Sequence, residues 1–440
     1  MNKSLSWGGY CFPFLIQNLL CLVLLQNAFA NEPIPEPLTL KYALSRADLN
    51  TSPEIMRYSA QQQLARAEQD MALSELGVFV AINGRLRYVE PSPLLPADMT
   101  NDSEITLDIS KRLYDFGRSH ANIEASKQNL ASIHALYTDY VSKRMVAILQ
   151  AYLNVLLADI VYEHANEAMS VDYVALDKMR SRFELKQISD IELLEVENNY
   201  RRSRREQIRA VSDQRNTRHR LAQLLQANSL PNTLETPDFK QVHFLSIARE
   251  LPELETLYAI AYEHNPQLVS LAYKKNAMRF SRDAFQAEKY PVISAHLQAA
   301  EYGRELGGSD RYQAGIEFKV PLYQAGQENI KIKQASAKLL QIEADALRMR
   351  QEIEQQILAL WLRISELKQQ FSDPDFSIDY RDLYLERSRA LYELEVTSDL
   401  GDAMVELTQA QLFKAQTVFQ LAISWAKLDS LLGKLVNYYE

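Results

Sequence analysis

The chain has 440 residues, with 57 acidic and 48 basic side chains, a net charge of −9 and two cysteines. An acidic balance argues against nucleic acid as a partner. Both cysteines, Cys11 and Cys21, fall within residues 1–30, so nothing beyond can form a disulfide, a thiolate metal site or a cysteine nucleophile.

Residues 1–30 are expected to be a secretory signal peptide: Lys3 supplies the positive start, "FLIQNLLCLVLL" the apolar run and Ala28-Phe29-Ala30 the cleavage site. Cys21 sits inside the apolar run rather than at its end, which argues against lipidation. Beyond it no apolar run approaches about 18 residues, so no transmembrane helix is expected.

Residues 31–226 read as one unit: an extended start, a helix, a β-hairpin at 78–113 and a long helical hairpin. In "VFVAINGRLRYV" (78–89) Val78, Val80, Ile82, Leu86 and Tyr88 share one face, while Asn83, Arg85 and Arg87 share the other. In "EITLDISK" (104–111) Ile105, Leu107 and Ile109 oppose Thr106, Asp108 and Ser110. Period two with a polar face is a half-buried strand. "RLYDFGR" (112–118) then leads into strong helix formers, and a helix from Arg118 to about Leu185 would run roughly 100 Å. Its apolar positions from Leu130, at spacings of three or four, predict a narrow seam rather than a core helix. The basic cluster "RRSRR" (201–205) is interleaved with Glu197 and Glu206 at helical spacing and reads as an ion-paired, solvated face.

Residues 227–256, with "NSLPNTLETPDF", read as a linker, and 257–440 as a second unit with a hairpin at 291–322. Ile293, Ala295, Leu297 and Ala299 oppose Ser294, His296 and Gln298; Tyr312, Ala314, Ile316, Phe318 and Val320 oppose Arg311, Gln313, Glu317 and Lys319. "FSDPDF" around Pro374 predicts a kink or restart in the second long helix. The two units are copies: Leu113, Tyr114 and Gly117 match Leu322, Tyr323 and Gly326, and "FELKQISDI" (183–191) matches "YELEVTSDL" (392–400) at the same shift of 209. "SPEI" (52–55) resembles "NPQL" (265–268), the shift drifting across the hairpins, where loops tolerate length changes.

Four alternating strands of about 8–12 residues suit either a tilted crossing of a hydrocarbon layer or a soluble sheet covered by broad apolar helices. Aromatic residues near the strand ends (Tyr88, Tyr114, Phe116, Tyr290, Tyr302, Tyr323) favour the first. A lipid-exposed barrel leaves no edges, and four strands cannot close one, so an inserted chain must oligomerise, as a dimer of eight strands or a trimer of twelve. Gly117 and Gly326 are expected to bend a strand leaving the barrel into a helix leaving the membrane. Arg85, Arg87, Asp108, His296, Gln298 and Glu317 would then face the lumen.

The duplicated strand–strand–long-helix plan, "LYDFGR", "PLYQAGQ" and the motifs around Phe183 and Tyr392 resemble the TolC-like outer-membrane efflux proteins. The resemblance implies a mainly α protein with a small β part. It implies a homotrimer with a twelve-stranded barrel in outer-membrane lipid, continued by an α-helical barrel across the periplasm. Such a protein is the exit duct of a tripartite pump or type I secretion system, docked through a periplasmic adaptor onto an inner-membrane pump or ABC transporter. By the same resemblance the helical tips, with Phe183, Leu185, Ser189, Tyr392, Leu394 and Ser398, would contact the adaptor, and Glu192 and Asp402 would line the entrance. Both acids could instead be helix N-terminal residues favoured by the helix dipole. Family tips carry a glycine three residues after the aromatic, where this chain has Lys186 and Glu395. No catalytic constellation, histidine pair at ligand spacing, cofactor motif or phosphate-cradling loop is present in the sequence. A periplasmic coiled-coil adaptor or scaffold is the alternative reading.

Overall fold

A computed structural model describes residues 34–48, 52–90, 100–231, 233–237, 249–303, 310–370, 372–394 and 399–435. The signal-peptide expectation for 1–30, most of the linker core and the tip residues Glu395 and Ser398 lie outside the described residues. The elements in order are α1 (Leu40–Ser45), α2 (Pro53–Ser74), β1 (Val78–Arg85), β2 (Glu104–Tyr114), α3 (Arg118–Glu184) and α4 (Asp190–Leu225). There follow α5 (Leu254–His264), α6 (Pro266–Ala287), β3 (Val292–Tyr302), β4 (Tyr312–Lys319), α7 (Gln327–Gln370), α8 (Ser372–Glu393) and α9 (Leu400–Leu431). The fold is mainly helical with one small antiparallel sheet.

The copying seen in sequence recurs in the elements. α2 and α6 both span 22 residues, begin on a proline at the first turn and follow a polar N-cap, Ser52 or Asn265. The long helix starts at Arg118 in one half and Gln327 in the other, and the matching ends are Glu184 and Glu393. The first half crosses this distance in one 67-residue helix, about 100 Å long. The second half is helical over α7, to Gln370, and α8, from Ser372, and the kink or restart expected at "FSDPDF" falls on residue 371, outside the described residues.

The narrow-seam expectation for α3 needs correction. Between Val141 and Ala158 most of its residues are buried, including Val141, Met145, Ile148, Leu149, Tyr152, Leu153 and Val155, because α1, the end of α4 and α9 surround this stretch. One 18-residue window of α3 reaches a mean hydropathy of 1.7, enough by length and composition alone to cross a membrane. That apolar character is spent on core packing, since 56% of the window is buried. Tyr152 lies at the centre, its hydroxyl donating to the carbonyls of Leu38 (2.7 Å) and Glu235 (2.6 Å) and so tying down the two irregular segments. A second core gathers Ile353, Ile357, Ile364, Leu421, Trp425 and Leu428 from α7 and α9 under α5.

Each half also ties the start of its 22-residue helix to the end of the returning helix, by different means. In the first, Arg144 is buried and donates to the Ser52 hydroxyl and to the Leu224 carbonyl at 2.9 Å. In the second, Asn265 does both jobs. Its Oδ1 accepts from the amides of Gln267 (3.0 Å) and Leu268 (3.2 Å), and its Nδ2 donates to the Leu431 carbonyl at 2.9 Å. Both devices satisfy last-turn carbonyls that the helix leaves unpaired.

Candidate functional site

The four strands form one antiparallel sheet in the order β1-β2-β3-β4. Register fixes which residues share a face. Val80 pairs with Ile109, Ile109 with Leu297, and Leu297 with Ala314, so one side is apolar. On that side Val78, Val80, Ile82, Ile105, Leu297, Ile316 and Phe318 are all exposed. No helix packs extensively on the sheet, so the cover required by a soluble sheet is missing among the described residues. An apolar face of this extent, with two unpaired edge strands, belongs against lipid or another chain.

The opposite side is a polar lattice. The Asp108 carboxylate accepts from Asn83 Nδ2 (2.7 Å), Thr106 Oγ1 (2.9 Å) and Gln298 Nε2 (2.8 Å). His296 Nε2 stands 3.2 Å from Glu317 Oε2, and Arg85 reaches Glu104 at 3.2 Å. Arg87, just past β1, pairs with Asp102. Of the six residues expected to face the lumen, Asp108 joins Gln298 and His296 joins Glu317, while the two arginines pair near the β1–β2 connection instead. β1 ends at Arg85, short of the expected 89, leaving Tyr88 bridged only to Asn101.

At the strand-to-helix bends Gly117 and Gly326 have φ of 88° and 76°, in the left-handed region that glycine tolerates. The residues before them are also left-handed, Phe116 at 54° and Ala325 at 51°, so each bend is a two-residue left-handed step. The first is held by a cluster that sequence reading missed. Buried Asp115 accepts from the Ser119 amide at 2.9 Å and from its hydroxyl, acting as the cap of α3. Arg112 links Asp115, Ser119 Oγ (2.8 Å) and Glu75 (2.9 Å). The Phe116 ring lies edge-on to Tyr114 at 4.8 Å and stacks on Tyr290 at 5.5 Å, joining the two halves. Glu288 adds ion pairs to Arg118 (3.1 Å) and Lys331 (2.7 Å). A run of aromatics was legible; the cap was not, because it depends on a bend that places Asp115 beneath the helix.

At the far end of α3, Lys186 takes φ of 59°, the place of the absent glycine. Its amide donates to the Phe183 carbonyl at 2.8 Å, and the Gln187 amide to Arg182 at 2.9 Å, which closes the helix end. Ser189 and Glu192 form a capping box at the start of α4: Glu192 accepts from the Ser189 amide at 2.7 Å and hydroxyl at 2.8 Å. The Ser189 backbone N–H holds the Glu192 carboxyl below its usual range. Leu185 and Leu394 are exposed at the two tips, with Tyr392 exposed and Phe183 at the limit of exposure. Arg201 pairs with Glu197 at 2.7 Å, as the spacing predicts. In the second half Asp399 is the N-cap of α9 and Asp402 lies in its first turn. Gly401, which stands where the first copy has Glu192, lies against Val171 of α3. A β-carbon there would come within 2.9 Å of the valine side chain, so this position serves close helix approach rather than charge.

The described residues combine duplicated long helices with one four-stranded sheet that has an apolar face, a polar face and two unpaired edges. No protein-family model matches the chain, and no curated protein does. Among solved structures, the CmeC outer-membrane channel of Campylobacter jejuni is similar at a TM-score of 0.72 and 14% identity, covering 90% of this chain and 86% of CmeC. CusC, described in connection with transmembrane channel formation, matches at 0.71 and 16% identity, over 92% of this chain and 95% of CusC. The open-state MtrE outer-membrane channel of Neisseria gonorrhoeae matches at 0.64 and 16%, over 90% and 89%. The chain has the fold of these channels over nearly its whole described length.

Proposed function

We propose that the protein is an outer-membrane efflux channel, the passive exit duct of a tripartite pump or type I secretion system. The observation that carries this reading is the sheet: one bare apolar face, one polar face and two open edges. Three copies would supply twelve strands, enough to enclose a lumen lined by the polar lattice. The division at 31–226, 227–256 and 257–440 gives each copy two near-equivalent sectors, so the trimer has six. The helices wall a periplasmic extension, and no catalytic chemistry is required of the chain.

In this reading the tips, with Phe183, Leu185, Ser189, Tyr392, Leu394 and Ser398, meet a periplasmic adaptor that links the duct to an inner-membrane transporter. Glu192 and Asp402 ring the entrance. Cargo is selected by the inner-membrane partner. Membrane fractionation and planar-bilayer recording test the proposal together. A heat-resistant trimer in the outer membrane that conducts ions supports it, and a soluble species without conductance supports the scaffold alternative instead.

A further inference from the structure

Among the described residues β1 and β4 have no partner on their outer edges. The internal repeat specifies what pairs with them. Glu317 stands 209 positions after Asp108, and Pro266 stands 213 after Pro53. Those two shifts carry the pair Phe79–Ser110 onto Val292–Lys319, so the two hairpins superpose in register. Where the halves meet, β2 sets Asp108 opposite Gln298 and Ile109 opposite Leu297. The same shifts applied to that junction set Glu317 opposite Arg85 and Phe318 opposite Gly84.

We propose that β4 of one copy pairs antiparallel with residues 83–88 of the next copy in this register, Glu317 against Arg85. The proposal rests on the channel reading and deepens it, since it names the seam that closes the wall. Three observations support it. First, the register keeps Glu317 and Arg85 on the polar face and Phe318, Ile316, Gly84 and Leu86 on the apolar one, whereas a one-residue slip would invert every side chain. Second, sizes match: Phe318 meets Gly84, beside which a β-carbon would touch nothing within 4 Å, and Ala314 meets Tyr88. Leu86 is 91% exposed and Tyr88 81%, and the seam lays both against the neighbour's β4.

Third, charge discriminates between registers. A slip of two residues one way sets Glu317 against Arg87 but Lys319 against Arg85, so an attraction is offset by a repulsion; the other way sets Glu317 against Asn83 and leaves Arg85 facing Gly315. In the favoured register Glu317 lies between His296 of its own copy and Arg85 of the next, which in turn holds Glu104. Across the seam Glu317, Arg85 and Glu104 then follow one another with alternating sign.

The test uses double-cysteine variants of the full chain with Cys11→Ala and Cys21→Ala, oxidised in outer-membrane vesicles. The pairs are E317C/R85C, E317C/N83C and E317C/R87C, with D108C/Q298C as the equivalent pair within one copy. Opposed β-carbons lie about 5 Å apart and diagonal ones about 7–8 Å, so E317C/R85C should link copies up to the trimer at roughly fivefold or greater yield over the slipped pairs. Preferential linkage by either slipped pair overturns the register. So does linkage by no seam pair when D108C/Q298C oxidises and an amine-reactive cross-linker still traps trimers; the channel reading survives that result. Only monomers with the amine-reactive reagent would remove the channel reading and the seam together.

Discussion

Arg249 and Asp429, 180 positions apart, form a two-pronged ion pair at 2.6 and 2.7 Å, with the carboxylate wholly buried. The guanidinium also lies 4.2 Å over the Trp425 ring, and the Arg249 carbonyl accepts from Lys368 at 2.6 Å. One residue thereby fastens the segment before α5 to both α7 and α9. Asp429→Ala leaves the arginine charge without its partner in a partly buried place and should cost about 3–5 kcal/mol. The paired change Arg249→Met with Asp429→Leu should recover most of that loss. Thermal denaturation of the purified protein in detergent compares the variants, and equal losses for the single and paired changes would refute the assignment.

Asp115 caps α3 from below the bend. Asp115→Ala should lower stability by about 1–2 kcal/mol, the range for an N-cap deletion. Ser119→Ala should cost less, because the Ser119 amide still donates to the carboxylate. Chemical denaturation followed by helical circular dichroism gives the ordering.

Lys186 occupies a left-handed position that glycine adopts without steric penalty. Lys186→Gly should stabilise the tip by about 1 kcal/mol, a reversal of the usual effect of glycine near a helix. Amide exchange over 180–187 should slow; faster exchange would show that the lysine contributes something beyond its backbone shape.

The pH response of the first tip follows from Glu192, which is fully exposed. Its folded carboxyl is depressed, first by the Ser189 backbone N–H and then by the Ser189 hydroxyl. Its contribution is therefore present above the ordinary carboxylate range and is lost as pH falls through the depressed value. Amides at the start of α4 should gain exchange protection between about pH 3 and pH 5 in the native chain, after correction for intrinsic rates, and Glu192→Gln should remove that rise. NMR titration of Ser189→Ala should show the Glu192 carboxyl returning toward its usual range.

Much of the architecture was legible because it depends on local periodicity. Alternation gave the faces of β2, β3 and β4, and the run of helix formers gave α3 to within a residue at either end. Gly117 and Gly326 were visible because a bend needs them. What escaped depends on contacts between distant segments. The crowding around Tyr152 was misread as a seam because spacing along one helix does not reveal how many neighbours surround it. Arg144 and Asn265 do the same work in the two halves but occupy unrelated positions, so the repeat itself concealed them. Glu192 and Gly401, which the repeat matches, also differ in role, since Gly401 is set by the Val171 side chain across the helix pair.

The two unpaired borders of the sheet also govern inheritance. A chain that cannot fold is degraded and leaves its wild-type sibling to assemble unhindered, so such an allele is recessive. Under the proposed assembly, a chain that folds but carries a spoiled border would still enter the ring, and each ring that admits it would be left with a breach. Alleles of that second kind should be dominant, and their severity should follow gene dosage.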